Sequence, residues 1–86
     1  MITIYGKEQC GFCVKAKKFA TDRQFKFEYK DVGNNMKIRD EMLRRAEGKV
    51  IKTVPQIFID NQHIGGYTEF TRYVEETGYN GTGESL

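Results

Sequence analysis

The two cysteines of this chain lie three positions apart, in the segment EQCGFC at positions 8–13. A C-x-x-C pair can hold a metal, form a structural disulfide or carry out thiol–disulfide exchange. A tetrahedral zinc site needs four ligands, usually from two such pairs, and this chain offers one pair and His63. His63 follows a predicted tight turn, which favours an exposed strand residue over a metal ligand. We therefore predict redox chemistry and no metal site.

The cysteines fall where a predicted strand leads into a predicted helix. Ile2–Tyr5 is a short run rich in β-branched residues, and Gly6 ends it. From Gly11 to about Thr21, apolar residues recur at helical spacing. The carboxyl end of a strand beside the amino end of a helix is a favoured place for a reactive site in an α/β sheet.

The two sulfurs are expected to differ in their environments. Cys10 lies at the predicted helix cap, where unpaired backbone N–H groups and the positive end of the helix dipole favour a thiolate. Cys13 lies one turn further on and shares the core-facing stripe with Ala16 and Ala20. Thiol–disulfide exchange requires this asymmetry, because one sulfur attacks while the other is held back to resolve the mixed disulfide.

The rest of the chain alternates strand and helix patterns separated by turns. The predicted elements are a strand over 25–32, a helix over 36–46, strands over 56–59 and 63–64, and a helix from 68 to about 76. This order predicts an α/β fold in which a four-stranded mixed sheet (β-α-β-α-β-β-α) is flanked by three helices. The first two strands should be parallel, and the last two should form an antiparallel hairpin.

Three details of the predicted helices concern their inner faces and their ends. The second helix is expected to turn Ile38, Met42 and Leu43 towards the core. Gly48 is expected to mark the end of that helix, since glycine is common just past a helix C-terminus. Thr68 is expected to cap the last helix through its hydroxyl group.

Size and composition fit one small globular domain. The chain has 86 residues, of which 38% are hydrophobic and 30% charged, and we predict a domain over 1–77 with a flexible tail over 78–86. The net charge is only +2, and the lysines and arginines are scattered among nearly as many acidic residues, which argues against a nucleic-acid-binding surface. The sequence contains no apolar run long enough to span a membrane and no recognisable secretory signal, so a reducing, cytoplasmic location is predicted.

Two further segments accompany the cysteine pair. Lys52–Ile59 reads KTVPQIFI, and His63–Gly66 reads HIGG. Together with IYGKEQCGFC, and in this order, these motifs resemble the glutaredoxin family over nearly the whole domain. The resemblance implies a thioredoxin fold and a glutathione-dependent oxidoreductase that reduces protein disulfides and glutathione mixed disulfides through a Cys10/Cys13 dithiol. It also implies glutathione as the reducing co-substrate, with no tightly bound cofactor.

The resemblance places a glutathione site beside the cysteines. Lys7 is expected to attract the glycine carboxylate of glutathione, and Arg39 matches a position where relatives place a second group on that carboxylate. In the predicted binding loop formed by Thr53, Val54 and Pro55, the proline is expected to be cis. The Val54 backbone would then pair with the cysteinyl backbone of glutathione, like one rung of a sheet.

At the other end of this site, the family uses a double glycine and the start of the last helix. Gly66 permits close approach of a backbone, and the N–H groups of Tyr67 and Thr68 are expected to receive the γ-glutamyl carboxylate. Thr68 stands where most relatives have an aspartate, so weaker binding of the γ-glutamyl ammonium is expected unless Glu69 compensates. Phe12 is expected to supply an aromatic surface beside the reactive sulfur.

Departures from the family pattern leave two alternatives open. Gly11 replaces the usual proline between the cysteines, and some glutaredoxins that lack this proline carry an iron–sulfur cluster between two subunits. Gly11 also resembles the thioredoxin active site, which suggests a thioredoxin-like electron donor.

The predicted partners are glutathione and proteins that are glutathionylated or contain a disulfide, with ribonucleotide reductase as one example. The protein is predicted to be a monomer. The linker over 48–52 is longer than usual for the family and is expected to contact the protein substrate.

Overall fold

A computed structural model describes residues 1–47, 49, 51 and 53–80. Along these residues the elements are β1 (Ile2–Gly6), α1 (Gly11–Asp22), β2 (Phe27–Asp31), α2 (Met36–Arg45), β3 (Gln56–Ile59), β4 (Gln62–Gly65) and α3 (Tyr67–Thr77). The predicted order of strands and helices is confirmed. No helix in this part of the chain is long and apolar enough to cross a membrane.

The four strands form one mixed sheet in the order β2-β1-β3-β4. β1 pairs in parallel with β2, because α1 carries the chain back along the sheet between them. β1 pairs antiparallel with β3, which in turn pairs antiparallel with β4. The cysteine segment therefore follows the carboxyl end of β1, one of the two central strands.

Successive residues of β3 join two different core clusters. Ile57 belongs to a cluster that includes Phe70 of α3 and Ala16 of α1. Its neighbour Phe58 belongs to a second cluster, with Met42 of α2. Because side chains alternate across a strand, α1 and α3 cover one face of the sheet and α2 covers the other.

A partly buried group of hydrogen-bonded side chains attaches α2 to the sheet. The Tyr5 side chain is fully buried, and its hydroxyl donates to the Glu41 carboxylate and accepts from Arg45 Nη1 at 3.1 Å. Lys30 Nζ lies 2.7 Å from the same carboxylate, and this hydrogen-bonded ion pair holds the pKa of Glu41 below its usual value. These contacts hold α2, the helix on which Arg39 lies, against the sheet.

Two predicted details of the helices are wrong. Leu43 is 36% exposed, because Met42, at 4%, occupies the core-facing position and the next residue is rotated by about 100° around the helix. Thr68 does not cap α3, since the N-cap residue is Gly66. Glu69 supplies the capping group instead, and its carboxylate accepts a hydrogen bond from the Gly66 N–H at 2.8 Å.

The packed part of the chain continues beyond α3. Gly78 has a φ of 69°, in the left-handed region, and ends the helix there. Tyr79 falls in the predicted tail, yet it is only 5% exposed and its ring packs against Phe25 with centres 5.6 Å apart. The packed domain therefore extends at least to Tyr79. Residues 81–86 of the tail, and Gly48 as the predicted end of α2, lie outside the described residues.

Candidate active site

The two cysteines meet at the first turn of α1. Cys10 is the N-cap residue, and its Sγ accepts a hydrogen bond from the Cys13 backbone N–H at 3.2 Å. The same sulfur lies 3.4 Å from the carbonyl oxygen of Val54, to which a thiol can donate. Cys10 is partly exposed and Cys13 is fully buried, and neither forms a disulfide. The predicted difference between an accessible sulfur and a shielded one is confirmed.

The environment of Cys13 disfavours its thiolate. Burial and a hydrogen bond with Cys10 raise the pKa of Cys13 to about 11. Hydrogen bonds with the Lys7 backbone and with the Tyr29 side chain act in the opposite direction. Cys13 is therefore a thiol at neutral pH, and it must lose its proton before it can act as a nucleophile.

The loop from Thr53 to Pro55 faces the cysteines from the other side. The Val54–Pro55 peptide bond is cis, as predicted, and Pro55 is buried. The carbonyl oxygen of Val54 points at the sulfur of Cys10. Backbone polar groups of this loop thus lie beside the reactive sulfur, where an extended peptide could pair with them.

A pair of polar side chains that the sequence pattern did not reveal supports this loop. Gln56, which is 7% exposed, donates from Nε2 to the Thr53 carbonyl oxygen at 2.9 Å. Its Oε1 lies 2.6 Å from His63 Nε2, and His63 stacks on Phe58 with ring centres 4.6 Å apart. The prediction that His63 is exposed is wrong, since it is half-buried. Burial, together with the positive charge of Lys49, lowers the pKa of His63.

One open groove brings several of the predicted glutathione-binding residues together. Lys7, Arg39 and the Thr53–Val54 segment line this groove, which has a volume of about 170 Å³. The two cations thus share one concave surface with the backbone of the cis-proline loop. Of the linker over 48–52, Ile51 lines the same groove, and positions 48, 50 and 52 lie outside the described residues.

An aromatic surface lies beside the dithiol. The Phe12 side chain is 56% exposed, and its ring centre lies 6.2 Å from that of Tyr67, at the start of α3. Lys15 Nζ lies 5.1 Å from the centre of the Phe12 ring. Phe12 and Tyr67 therefore form an apolar rim that a bound partner could cover, with a cation at its edge.

The start of α3 lies against the cis-proline loop. A Cβ atom on Gly66 would stand 3.1 Å from Glu69 Oε1 and 3.7 Å from the Pro55 carbonyl oxygen. Thr68 is exposed on the first turn. The Glu69 carboxylate is directed at the Gly66 N–H and so lies at the terminus of α3.

A helix-capping thiol, a buried second thiol one turn along and a cis-proline loop facing them define a thiol–disulfide oxidoreductase. The family model described as Glutaredoxin matches residues 2–64. Glutaredoxin 1 of Escherichia coli (strain K12) is 41% identical over 78 residues, which cover 85% of this chain and 91% of that protein. The chain belongs to the glutaredoxin family, and it is a glutathione-dependent thiol oxidoreductase.

Solved structures share the fold. Glutaredoxin 1 from Francisella tularensis, complexed with cacodylate, superimposes with a TM-score of 0.71 at 33% identity, covering 87% of this chain and 92% of that one. The buckwheat glutaredoxin–glutathione complex has a TM-score of 0.71 at 22% identity, covering 87% of this chain and 68% of that one. At 22% identity, the similarity to the buckwheat protein shows a shared fold alone. The predicted thioredoxin fold is confirmed.

Proposed function

We propose that Cys10 is the nucleophile and Cys13 the resolving thiol in the reduction of protein disulfides and glutathione mixed disulfides. The position of the Cys10 sulfur carries this proposal. It lies at the amino end of α1, 3.2 Å from the Cys13 N–H and 3.4 Å from the Val54 carbonyl oxygen. The N–H and the helix dipole stabilise negative charge on this sulfur, and its partial exposure leaves it open to attack a disulfide.

Reduction of a protein disulfide uses both cysteines. The Cys10 thiolate attacks one sulfur of the partner, and the other partner sulfur leaves with the bonding electrons and takes up a proton. Cys13, after losing its proton, attacks Cys10 and displaces the partner as a second thiol. Two molecules of glutathione then reduce the Cys10–Cys13 disulfide, and they leave as glutathione disulfide.

Removal of glutathione from a glutathionylated protein uses Cys10 alone. Its thiolate attacks the glutathione sulfur, and the partner protein leaves as a thiol. A second glutathione thiolate then attacks the glutathione sulfur bound to Cys10, which releases glutathione disulfide and restores the free cysteine.

The groove beside the dithiol is the proposed glutathione site. The glycine carboxylate of glutathione would lie near Lys7 and Arg39, and the cysteinyl backbone of glutathione would pair with the Thr53–Val54 segment. The buckwheat relative is solved as a glutathione complex, which supports a site of this kind.

The γ-glutamyl end of glutathione would lie against the start of α3, near Gly66 and the N–H groups of Tyr67 and Thr68, with Phe12 at the rim. Thr68 carries no charge. Because the Glu69 carboxylate caps the Gly66 N–H, we expect the γ-glutamyl ammonium to be held more weakly than by an aspartate at position 68.

Cysteine-to-serine variants test the assignment of the two sulfurs. Activity is followed with glutathione and glutathione reductase, on a glutathionylated peptide and on a peptide disulfide. Cys10→Ser should abolish both reactions, whereas Cys13→Ser should keep removal of glutathione and lose the internally resolved reaction. Full activity of Cys10→Ser would show that the assignment is wrong.

We propose a monomer that acts in the reducing cytoplasm on disulfide-containing proteins, of which ribonucleotide reductase is one. A sedimentation experiment on the reduced protein tests the monomer. Turnover of oxidised ribonucleotide reductase, compared between wild type and Cys13→Ser, tests the partner, because reduction of its disulfide should require the second cysteine.

The open environment of Gly11 is the observation that favours a second candidate function. A Cβ atom there would meet nothing within 4 Å, so the turn between the cysteines is accessible. Within the described residues, no group of three or more His, Cys, Asp or Glu side chains could hold a metal ion. A cluster carrier would therefore need sulfur from glutathione and from a second copy of the chain. Anaerobic reconstitution with iron, sulfide and glutathione tests this, and a colourless monomer counts against it.

A further inference from the structure

Behind the dithiol, the side chain of Tyr29 and the sulfur of Cys13 converge on Gly6. A Cβ atom placed on Gly6 would stand 2.5 Å from Tyr29 Oη, 2.9 Å from Cys13 Sγ and 3.0 Å from Tyr29 Cζ. Apart from Gly6 and its two chain neighbours, these are the nearest atoms among the described residues. Glycine at the end of β1 thus leaves space in which the hydroxyl and the buried sulfur are neighbours.

The Tyr29 side chain is held in place from two directions. Its hydroxyl donates to the Lys7 carbonyl oxygen at 3.1 Å, in the loop between β1 and α1. Lys17 Nζ, on the second turn of α1, lies 4.8 Å from the centre of the Tyr29 ring. The hydroxyl therefore remains close to Cys13 while its proton can turn between acceptors.

A tyrosine hydroxyl has one proton to donate and lone pairs that accept. When Cys13 is a thiol, the Tyr29 hydroxyl donates a hydrogen bond to the Lys7 carbonyl oxygen and has lone pairs that can accept from the S–H group. When Cys13 loses its proton, the buried negative sulfur becomes the stronger acceptor. Rotation about the C–O bond then directs the hydroxyl proton to the sulfur.

We propose that Tyr29 is a positioning residue for the resolving step, and that its hydroxyl donates a hydrogen bond to the Cys13 thiolate. This inference rests on the proposed function, because it concerns the step in which Cys13 attacks Cys10. It assigns Tyr29 no part in the removal of glutathione, which needs Cys10 alone.

The electrostatics of the site favour Tyr29 as a hydrogen-bond donor rather than as a general base. Burial, followed by the charge of Cys13 and hydrogen bonding to it, raises the pKa of Tyr29 to about 12, so the hydroxyl keeps its proton. The hydrogen bond with Tyr29 lowers the pKa of Cys13, against burial and the contact with Cys10 that raise it. Among the described residues, the charges of Lys17 on α1, Asp31 on β2 and the Cys10 sulfur also act on Tyr29.

The balanced step involves no proton transfer by Tyr29. Cys13 gives its proton to water, and its sulfur forms a bond with Cys10 Sγ as the bond between Cys10 and the partner sulfur breaks. The partner sulfur leaves with that electron pair and takes a proton from water. The two cysteines are oxidised to a disulfide by two electrons, and these electrons complete the reduction of the partner disulfide.

A single-turnover experiment with Tyr29→Phe tests the inference. The reduced protein is mixed, without glutathione, with a short peptide that carries one disulfide, and formation of the Cys10–Cys13 disulfide is followed by acid quench across pH. The matched control is Tyr73→Phe, because Tyr73 is a half-buried tyrosine on α3 that packs against the first core cluster.

Loss of one good hydrogen bond to an ion should slow formation of the internal disulfide about tenfold at neutral pH. The pH at which the rate rises should be about one unit higher than in wild type. The pKa of Cys13, measured from the Cβ chemical shift in a Cys10→Ser background with isotope-labelled cysteine, should rise by the same amount. Removal of glutathione from a glutathionylated peptide, which needs Cys10 alone, should lose much less than tenfold, and the control should match wild type in both reactions.

The outcomes separate this inference from the proposed function. If wild type forms no internal disulfide with the peptide, the assignment of Cys13 fails, and this inference fails with it. If wild type reacts and Tyr29→Phe shows the same rate profile and the same Cys13 pKa, only the inference about Tyr29 is overturned. An equal loss in both reactions would show a merely structural effect and would also overturn it.

Discussion

Replacing Gln56 with leucine should weaken both the fold and the glutathione site, because this buried amide joins β4 to the cis-proline loop. Gln56→Leu preserves the approximate volume of the side chain but removes the donor to the Thr53 carbonyl oxygen and the acceptor for His63. Thr53 is exposed and can bond to water, whereas His63 is half-buried and would lose its partner. The change therefore tests whether the polar network, and not only packing, holds the loop.

The expected loss of stability follows from the two hydrogen bonds that Gln56→Leu removes. An ordinary intramolecular hydrogen bond contributes about 0.5–1.5 kcal/mol, and a buried group left without a partner costs about 1–3 kcal/mol. Because the exposed Thr53 can bond to water instead, the loss at His63 dominates, and the free energy of unfolding should fall by about 1–3 kcal/mol. In a domain of this size each kcal/mol shifts the melting temperature by about 4–8 °C, so Tm should drop by at least about 4 °C.

Chemical denaturation and steady-state kinetics measure the two effects. Urea titration gives the free energy of unfolding, and the coupled assay with glutathione reductase gives KM for glutathione, which should rise as the loop loosens. Gln62→Leu is the matched control, because Gln62 is an exposed glutamine on β4 and its replacement should change stability by less than about 0.5 kcal/mol. If Gln56→Leu were as stable as the control and bound glutathione equally well, the network would have no part in holding the loop.

Three further predictions concern His63, the groove and the core. Because burial lowers the pKa of His63, the unfolded chain binds more protons than the folded one just below pH 6.5, so stability should fall as pH falls through this window; His63→Gln should remove that slope in urea titrations. Lys7→Gln should raise KM for glutathione about two- to fivefold with kcat little changed, while the exposed Lys37→Gln on α2 should match wild type. Phe70→Ala, at a fully buried position, should cost about 3–5 kcal/mol in unfolding free energy by calorimetry, and a loss below 1 kcal/mol would contradict the assigned core.

Much of this fold could be predicted because local patterns encode it. Helical spacing placed Cys13 on the buried stripe and Cys10 at the cap, and both positions are confirmed. The turn between β3 and β4 and the crossover through α1 fixed which strands are parallel. These features depend on residues close together in the chain, which is where periodicity carries information.

The errors arise where several local patterns compete or where distant residues meet. Leu43 is apolar and near the inner stripe of α2, and only packing on the sheet decides that Met42 takes the core position. Thr68 is a good capping residue, but the N-cap is Gly66, two residues earlier, and the Glu69 carboxylate accepts from its N–H.

The polar contacts around the site depend on strand pairing. The register that pairs Phe58 with His63 brings the imidazole to Gln56, and the parallel pairing of β1 with β2 brings Tyr29 to the end of β1. Neither contact follows from spacing along the chain, because each joins residues on different strands.

The two cations that line the proposed glutathione groove should also affect how quickly glutathione arrives. Glutathione carries two carboxylates and one ammonium group at neutral pH, so it approaches as an anion. Lys7 and Arg39 lie on the same concave surface, and their fields add over the last several ångströms of approach. The Debye length is about 8 Å at physiological ionic strength, comparable to the size of the ligand. For glutathione binding in the proposed site, encounter should therefore be electrostatically steered, and its rate should fall as the salt concentration rises.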